Sequence, residues 1–75
     1  MPHITIKLYP GKTEEQKESL SKAIVSDIME IMGNSEASVS VAFEEVEPEQ
    51  WKEVYREEIL PKMDSLYKKP GYNPL

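Results

Sequence analysis

Two periodicities alternate along the chain. In HITIKLY, Ile4, Ile6 and Leu8 are interleaved with His3, Thr5, Lys7 and Tyr9, the period-two pattern of a strand with one buried face, which predicts a strand over residues 2–9. PGK then turns the chain. Thr13 followed by Gln16 has the spacing of a capping box, in which hydroxyl and amide side chain satisfy backbone groups orphaned at a helix start. Beyond it Leu20, Ala23, Ile24, Ile28, Ile31 and Met32 recur three and four apart, leaving Lys17, Lys22 and Glu30 for solvent, and Gly33–Asn34 suits a left-handed stop. The expected helix covers residues 13–33. SVSVAFEEV alternates again, with Val39, Val41 and Phe43 on one face and Ser38, Ser40, Ala42 and Glu44 on the other, predicting a strand over 38–46.

Strand, helix and strand in this order form a βαβ unit, with parallel strands and a right-handed crossover. The expected class is α/β, or α+β once the C-terminal third is counted. Pro48 is placed for the first turn of a helix, and Trp51, Val54, Tyr55, Ile59, Met63 and Leu66 follow at near-helical spacing, interrupted by Pro61. A proline there cannot donate to the preceding turn and crowds its carbonyl, so a kinked helical segment is expected over 48–69, with a tail at 70–75. The whole of 1–75 reads as a single domain. Two parallel strands leave both sheet edges and one face uncovered, and pairing with a second copy, a homodimer with a joined four-stranded sheet, answers both problems. The small face of Ser38, Ser40 and Ala42 permits close approach.

Composition narrows the function classes. A chain of 75 residues buries a modest fraction of its surface and needs a staple or a partner; with no cysteine and a single histidine, His3, neither a disulfide nor a structural zinc site of the usual ligands is available. The formal charge of -5 repels a phosphate backbone and argues against nucleic acid as partner. No apolar run approaches a membrane span and no signal-peptide pattern opens the chain, so the expectation is no membrane and a cytoplasmic location.

The second residue carries the most specific chemistry. Removal of Met1 turns the Pro2 ring nitrogen from an amide without a donor into a basic secondary amine. Such an amine takes a proton from carbon when enough of it is unprotonated at working pH, and burial or a nearby cation lowers its pKa toward that condition. Read from the residues alone, Trp51 fits an apolar helix stripe as well as a site, Lys12 fits a solvated turn, and Arg56, flanked by Glu53 and Glu57, fits a helix surface. His3 suits a polar or interface position.

The opening MPHITIKLYPGKTEEQKESL, the later SVSVAFEEV and the KKPGY near the end resemble the 4-oxalocrotonate tautomerase family, over nearly the whole chain. PEQWKEVYREEILPKM through KKPGY is similar to a bacterial branch of phenylpyruvate-type tautomerases, which are dimers more than hexamers. The resemblance implies a tautomerase-type βαβ fold, an isomerase that works without a cofactor or metal, a 2-keto acid as small-molecule substrate, and Pro2 as general base. It also implies substrate-binding roles for Lys12, Ser40 and Trp51. Lys12 and Ser40 stand where well-known members carry arginines that bind carboxylates and polarise a carbonyl; Trp51 stands where the family carries an aromatic wall. Lys12 keeps the charge but lacks the planar fork, and Ser40 keeps only a hydroxyl. A dicarboxylate is disfavoured, and a smaller or more aromatic keto acid such as phenylpyruvate fits better. Two alternatives stay open: a non-catalytic dimeric binding or scaffold module, and a hydratase or dehalogenase activity drawing on Glu44 and Lys12.

Overall fold

Alternation in the opening segment becomes strand β1, His3–Leu8. It pairs in parallel with β2, Ser40–Glu45, in the register His3 to Ser40, Ile4 to Val41, Thr5 to Ala42, Ile6 to Phe43, Lys7 to Glu44 and Leu8 to Glu45. Matching residues share a face, so Ile4, Ile6, Val41 and Phe43 form an apolar side, while His3, Thr5, Lys7, Ser40, Ala42 and Glu44 form a polar one. This computed structural model describes residues 1–75 and divides into two compact units, Met1–Glu45 and Val46–Leu75.

In the first unit the strands are joined through helix α1, Glu14–Asp27. Thr13 caps it: its hydroxyl accepts from the Gln16 backbone N–H at 3.1 Å, and Gln16 Oε1 accepts from the Thr13 N–H at 2.9 Å. Glu14 and Glu15 add negative charge where the helix dipole favours it. Past Asp27 the helix widens into a π turn, Ile28–Met32, and stops at Gly33, whose φ of 74° lies in the left-handed region.

Helix α1 lies over the apolar side of the sheet, since its residues line grooves with Leu8, Val41 and Phe43. Its half-buried positions are Lys17, Ser21, Ile24 and Val25, joined by Ile28 at the start of the π turn. This corrects the stripe expected from apolar spacing, for Leu20 is 45% exposed, Ile31 80% and Met32 64%. Lys17, expected in solvent, turns inward because carboxylates meet it there, Glu45 at 3.0 Å and Glu14 at 3.5 Å.

The second strand begins at Ser40, two residues later than its alternation suggests. Glu36–Ser38 forms a 3₁₀ turn in which Ser38 Oγ donates to the Ser35 carbonyl at 2.7 Å and the Ser38 N–H donates to the same oxygen at 3.1 Å. Local hydroxyl bonding of this kind competes with a ladder.

The second unit starts with a 3₁₀ turn at Pro48–Gln50, passes into a short α2, Trp51–Val54, then a π turn, Tyr55–Ile59, and ends in a 3₁₀ segment, Leu60–Ser65. The change of winding at Leu60 is where Pro61 removes a donor from the helical ladder. The segment stops at Ser65, four residues short of the expected 69, with Leu66 in an extended backbone conformation. Residues 70–75 are more than a tail. Trp51 Nε1–H donates to Tyr72 Oη at 2.9 Å, and the rings of Tyr55 and Tyr72 meet with centroids 6.1 Å apart at 53°. No helix is long and apolar enough to cross a membrane.

Candidate functional site

Pairing of β1 with β2 brings the predicted base and one predicted substrate-binding residue together. The Ser40 N–H donates to the Pro2 carbonyl at 3.1 Å, and standard backbone dimensions then put Ser40 N within about 7 Å of the Pro2 nitrogen. Pro2 is half-buried, and Met1 before it is 98% exposed, so nothing packs the methionine in place over the proline.

On the polar side of the sheet, His3 faces Ser40 across the strands. Its Nδ1 lies 2.6 Å from Ser40 Oγ, and its Nε2 lies 3.2 Å from Thr5 Oγ1. The alternation puts His3 on the polar face but does not reveal this contact, because it depends on the register of residues 37 apart in sequence. The available signal was His3 and Ser40 each sitting beside the apolar residue that opens its alternation.

The opposite end of the strands is built from fixed charge. Six residues of β1 span about 20 Å, so Lys12, beyond Leu8, lies well away from Pro2 within one chain. Gly11, with φ of 124°, makes the turn before it, a conformation that favours glycine. Lys12 lines a cavity of 190 Å³ with Leu8, Gln16, Lys17, Leu20 and Phe43. Lys7 and Glu44 are paired at 3.6 Å across the strands on the polar side. The Lys17 ammonium is held above its ordinary pKa, chiefly by its hydrogen bond to Glu45, with Glu14 adding to the effect.

Two shallow grooves of 450 and 460 Å³ run along α1, the first lined by Val25, Met29 and Val41, the second by Glu14, Lys17 and Phe43. No group of three or more His, Cys, Asp or Glu is placed to hold a metal ion. Trp51 belongs to the second unit, half-buried, with its indole N–H directed to Tyr72. The sequence pattern does not identify Tyr72 as a partner; Pro70–Gly71 ahead of an aromatic is its one sequence signal.

Comparison with known proteins places these features in a lineage. Residues 2–52 match the family described as tautomerase enzyme. Tautomerase PptA of Escherichia coli strain HS is 38% identical over 74 residues, which is 97% of this chain and 99% of that protein. Among solved structures, YwhB, a homologue of 4-oxalocrotonate tautomerase, superposes with a TM-score of 0.59 at 35% identity over 61% of this chain and 75% of its own. TomN, a 4-oxalocrotonate tautomerase homologue in the tomaymycin biosynthetic pathway, gives a TM-score of 0.64 at 30% identity over 67% and 77%.

Proposed function

This chain belongs to the 4-oxalocrotonate tautomerase family, and from that premise we propose that it interconverts the keto and enol forms of a 2-keto acid such as phenylpyruvate, with the Pro2 amine as general base. Membership supports tautomerase activity in general. The proline mechanism requires loss of Met1. In the keto-to-enol direction the unprotonated Pro2 nitrogen takes a proton from the carbon next to the carbonyl. The C–H electron pair becomes the new C=C bond, the carbonyl π pair moves to oxygen, and the Pro2 ammonium returns its proton to that oxygen; in the ketonisation direction the unprotonated Pro2 nitrogen takes the enol O–H proton and returns it to carbon. Donors near the developing enolate lower the barrier because they meet charge that exists only at and beyond the transition state.

The observation that carries this reading is the bond from the Ser40 N–H to the Pro2 carbonyl at 3.1 Å, which sets the Ser40 hydroxyl at the Pro2 end of the strands. Lys12 reaches Pro2 only from another copy. Two chains paired antiparallel through their β1 edges bring the Leu8 end of one beside the Pro2 end of the other, so a homodimer offers Pro2 of one protomer the ammonium of Lys12 of the partner subunit. Support for such an assembly comes from burial: no residue of Met1–Glu45 is buried, and Ile4, Ile6, Val41 and Phe43 are only half-covered. The role of Trp51 as an aromatic substrate contact rests on the family resemblance alone.

The test is direct. Mass spectrometry first establishes that Met1 is gone, and ketonisation of phenylenolpyruvate is then followed optically. Turnover well above the buffer rate is the expected result; a fully processed protein with none would sink the reading. Sedimentation equilibrium is expected to give about 17 kDa, twice the 8.6 kDa chain, and a stable monomer would remove the route by which Lys12 reaches Pro2.

A further inference from the structure

One titratable ring stands at the Pro2 end of the sheet's polar side, between two hydroxyls. His3 Nδ1 is 2.6 Å from Ser40 Oγ, at the short end of the hydrogen-bond range, and Nε2 is 3.2 Å from Thr5 Oγ1. A neutral imidazole has one N–H and one lone pair. One of the two hydroxyls must therefore donate into the ring, and its proton is engaged there. A protonated ring donates from both nitrogens. Both hydroxyls then accept, and their own protons are free to turn outward.

Protonation of His3 thus does two things at once beside Pro2: it adds a positive charge, and it fixes Nδ1 as a donor, so that Ser40 Oγ accepts and its own proton is free for a third group whichever nitrogen carried the proton in the neutral ring. A 2-keto acid arrives as an anion and becomes more negative at its carbonyl oxygen as the enolate forms, and charge-assisted donors are the strong ones for both oxygens. Other charges nearby do not supply this. Lys7 and Glu44, further along the polar side, are paired with each other at 3.6 Å. Glu36, in the turn before β2, lines the groove on the α1 side with Ser21, Lys22 and Val25. Lys17 sits between Glu14 and Glu45 over the apolar side.

We propose that His3 is a positioning residue for the tautomerisation: as an imidazolium it holds Ser40 Oγ from Nδ1–H and so leaves the Ser40 hydroxyl proton to bind the carboxylate or enolate oxygen of the 2-keto acid at Pro2. The proposal rests on the tautomerase reading above and adds a second titrating group to it. Pro2 must be unprotonated and His3 protonated in the same molecule, so kcat/KM passes through a maximum with pH. The acid limb belongs to Pro2 and the alkaline limb to His3.

The experiment uses the processed full-length chain, with phenylenolpyruvate ketonisation measured across pH and the His3 ring nitrogens followed by NMR with and without phenylpyruvate. His3→Ala is expected to raise KM by roughly tenfold or more, the loss of a charge-assisted hydrogen bond, with kcat changed less. His3→Gln keeps a permanent donor toward Ser40 without titrating, so it is expected to recover part of that loss and to flatten the alkaline limb. In the wild type, phenylpyruvate should raise the pH at which the His3 ring loses its proton, and in Ser40→Ala it should not. An alkaline limb that survives in His3→Gln, or a ring titration that phenylpyruvate leaves unmoved in the wild type, overturns the proposal. If the wild type turns over nothing, the tautomerase reading fails by itself; the ring titration still decides whether His3 and Ser40 bind the anion.

Discussion

The segment Met1–Glu45 contains both strands, the capped 14-residue helix and the Pro2–His3–Ser40 cluster, yet none of its residues is buried. In Val46–Leu75 the backbone changes winding three times within eighteen residues, from Pro48 to Ser65, and this segment holds the two buried residues, Val46 at 9% exposure and Tyr55 at 3%. Regular hydrogen bonding and burial have thus come apart in one small protein. Ladder and helix bonds follow from local pattern and place polar groups with precision, but each contributes only about 1 kcal/mol net. A large aromatic removed from water is worth more than any one of them. Proposed chemistry on the first segment and burial on the second is a division that substitutions can probe.

The largest effect is expected at the proposed base. Pro2→Ala leaves a terminal amine of different basicity and geometry, and should lower kcat by on the order of a thousandfold, about 4 kcal/mol of barrier, with the far-ultraviolet circular dichroism unchanged. A comparable loss of helical signal would mean that the first segment is not independent of its proline. Tyr55→Ala, by contrast, should cost about 3 kcal/mol of stability and lower Tm by more than about 10 °C. A melting temperature within a few degrees of wild type would remove Tyr55 as the anchor of the second segment.

Much of the first segment is legible in the sequence. Ile4 and Ile6 against His3 and Thr5 define β1, Thr13 and Gln16 define the start of α1, and Gly33 defines its stop, because each signal is carried by residues within one or two turns. The features that escape depend on partners distant in sequence. Lys17 reads as solvent-facing until Glu45, 28 residues away, turns it inward, and the His3–Ser40 contact exists only in one strand register, since a slip of a single residue would put Ser40 on the other face. At Ser38 the alternation promises a strand, but a hydroxyl bond to the Ser35 carbonyl holds a turn instead. In the second segment the proline break at Pro61 is legible. The tie between Trp51 and Tyr72 is not, because it links an indole to a phenol 21 residues on, through a stretch with no periodicity.

Smaller effects are expected within the first segment. Thr13→Ala removes the capping box and should cost about 1 kcal/mol, read as a shift in the urea midpoint with the slope unchanged. Loss of activity beyond that explained by unfolding would mean that α1 does more than close the turn. The smallest effect is expected at Lys17. Its ammonium is held above the ordinary lysine value of 10.5 by Glu45 and Glu14, so its contribution to stability is complete below that pH and fades as pH rises through the raised value. The difference in Tm between wild type and Lys17→Met should therefore be constant across neutral pH and shrink only in the alkaline range above 10.5. A difference that vanishes already near neutrality would contradict the pairing.

On the proposed reading Pro2, once Met1 is removed, serves as a base at neutral pH. Nitrogen-15 NMR of the processed chain, labelled at proline and titrated with pH, reads it most directly. The Pro2 nitrogen is expected to lose its proton at a pH displaced from that of an ordinary proline amine toward neutrality, in step with the acid limb of kcat/KM. A Pro2 nitrogen that titrates like free proline, or whose titration does not track activity, would contradict it.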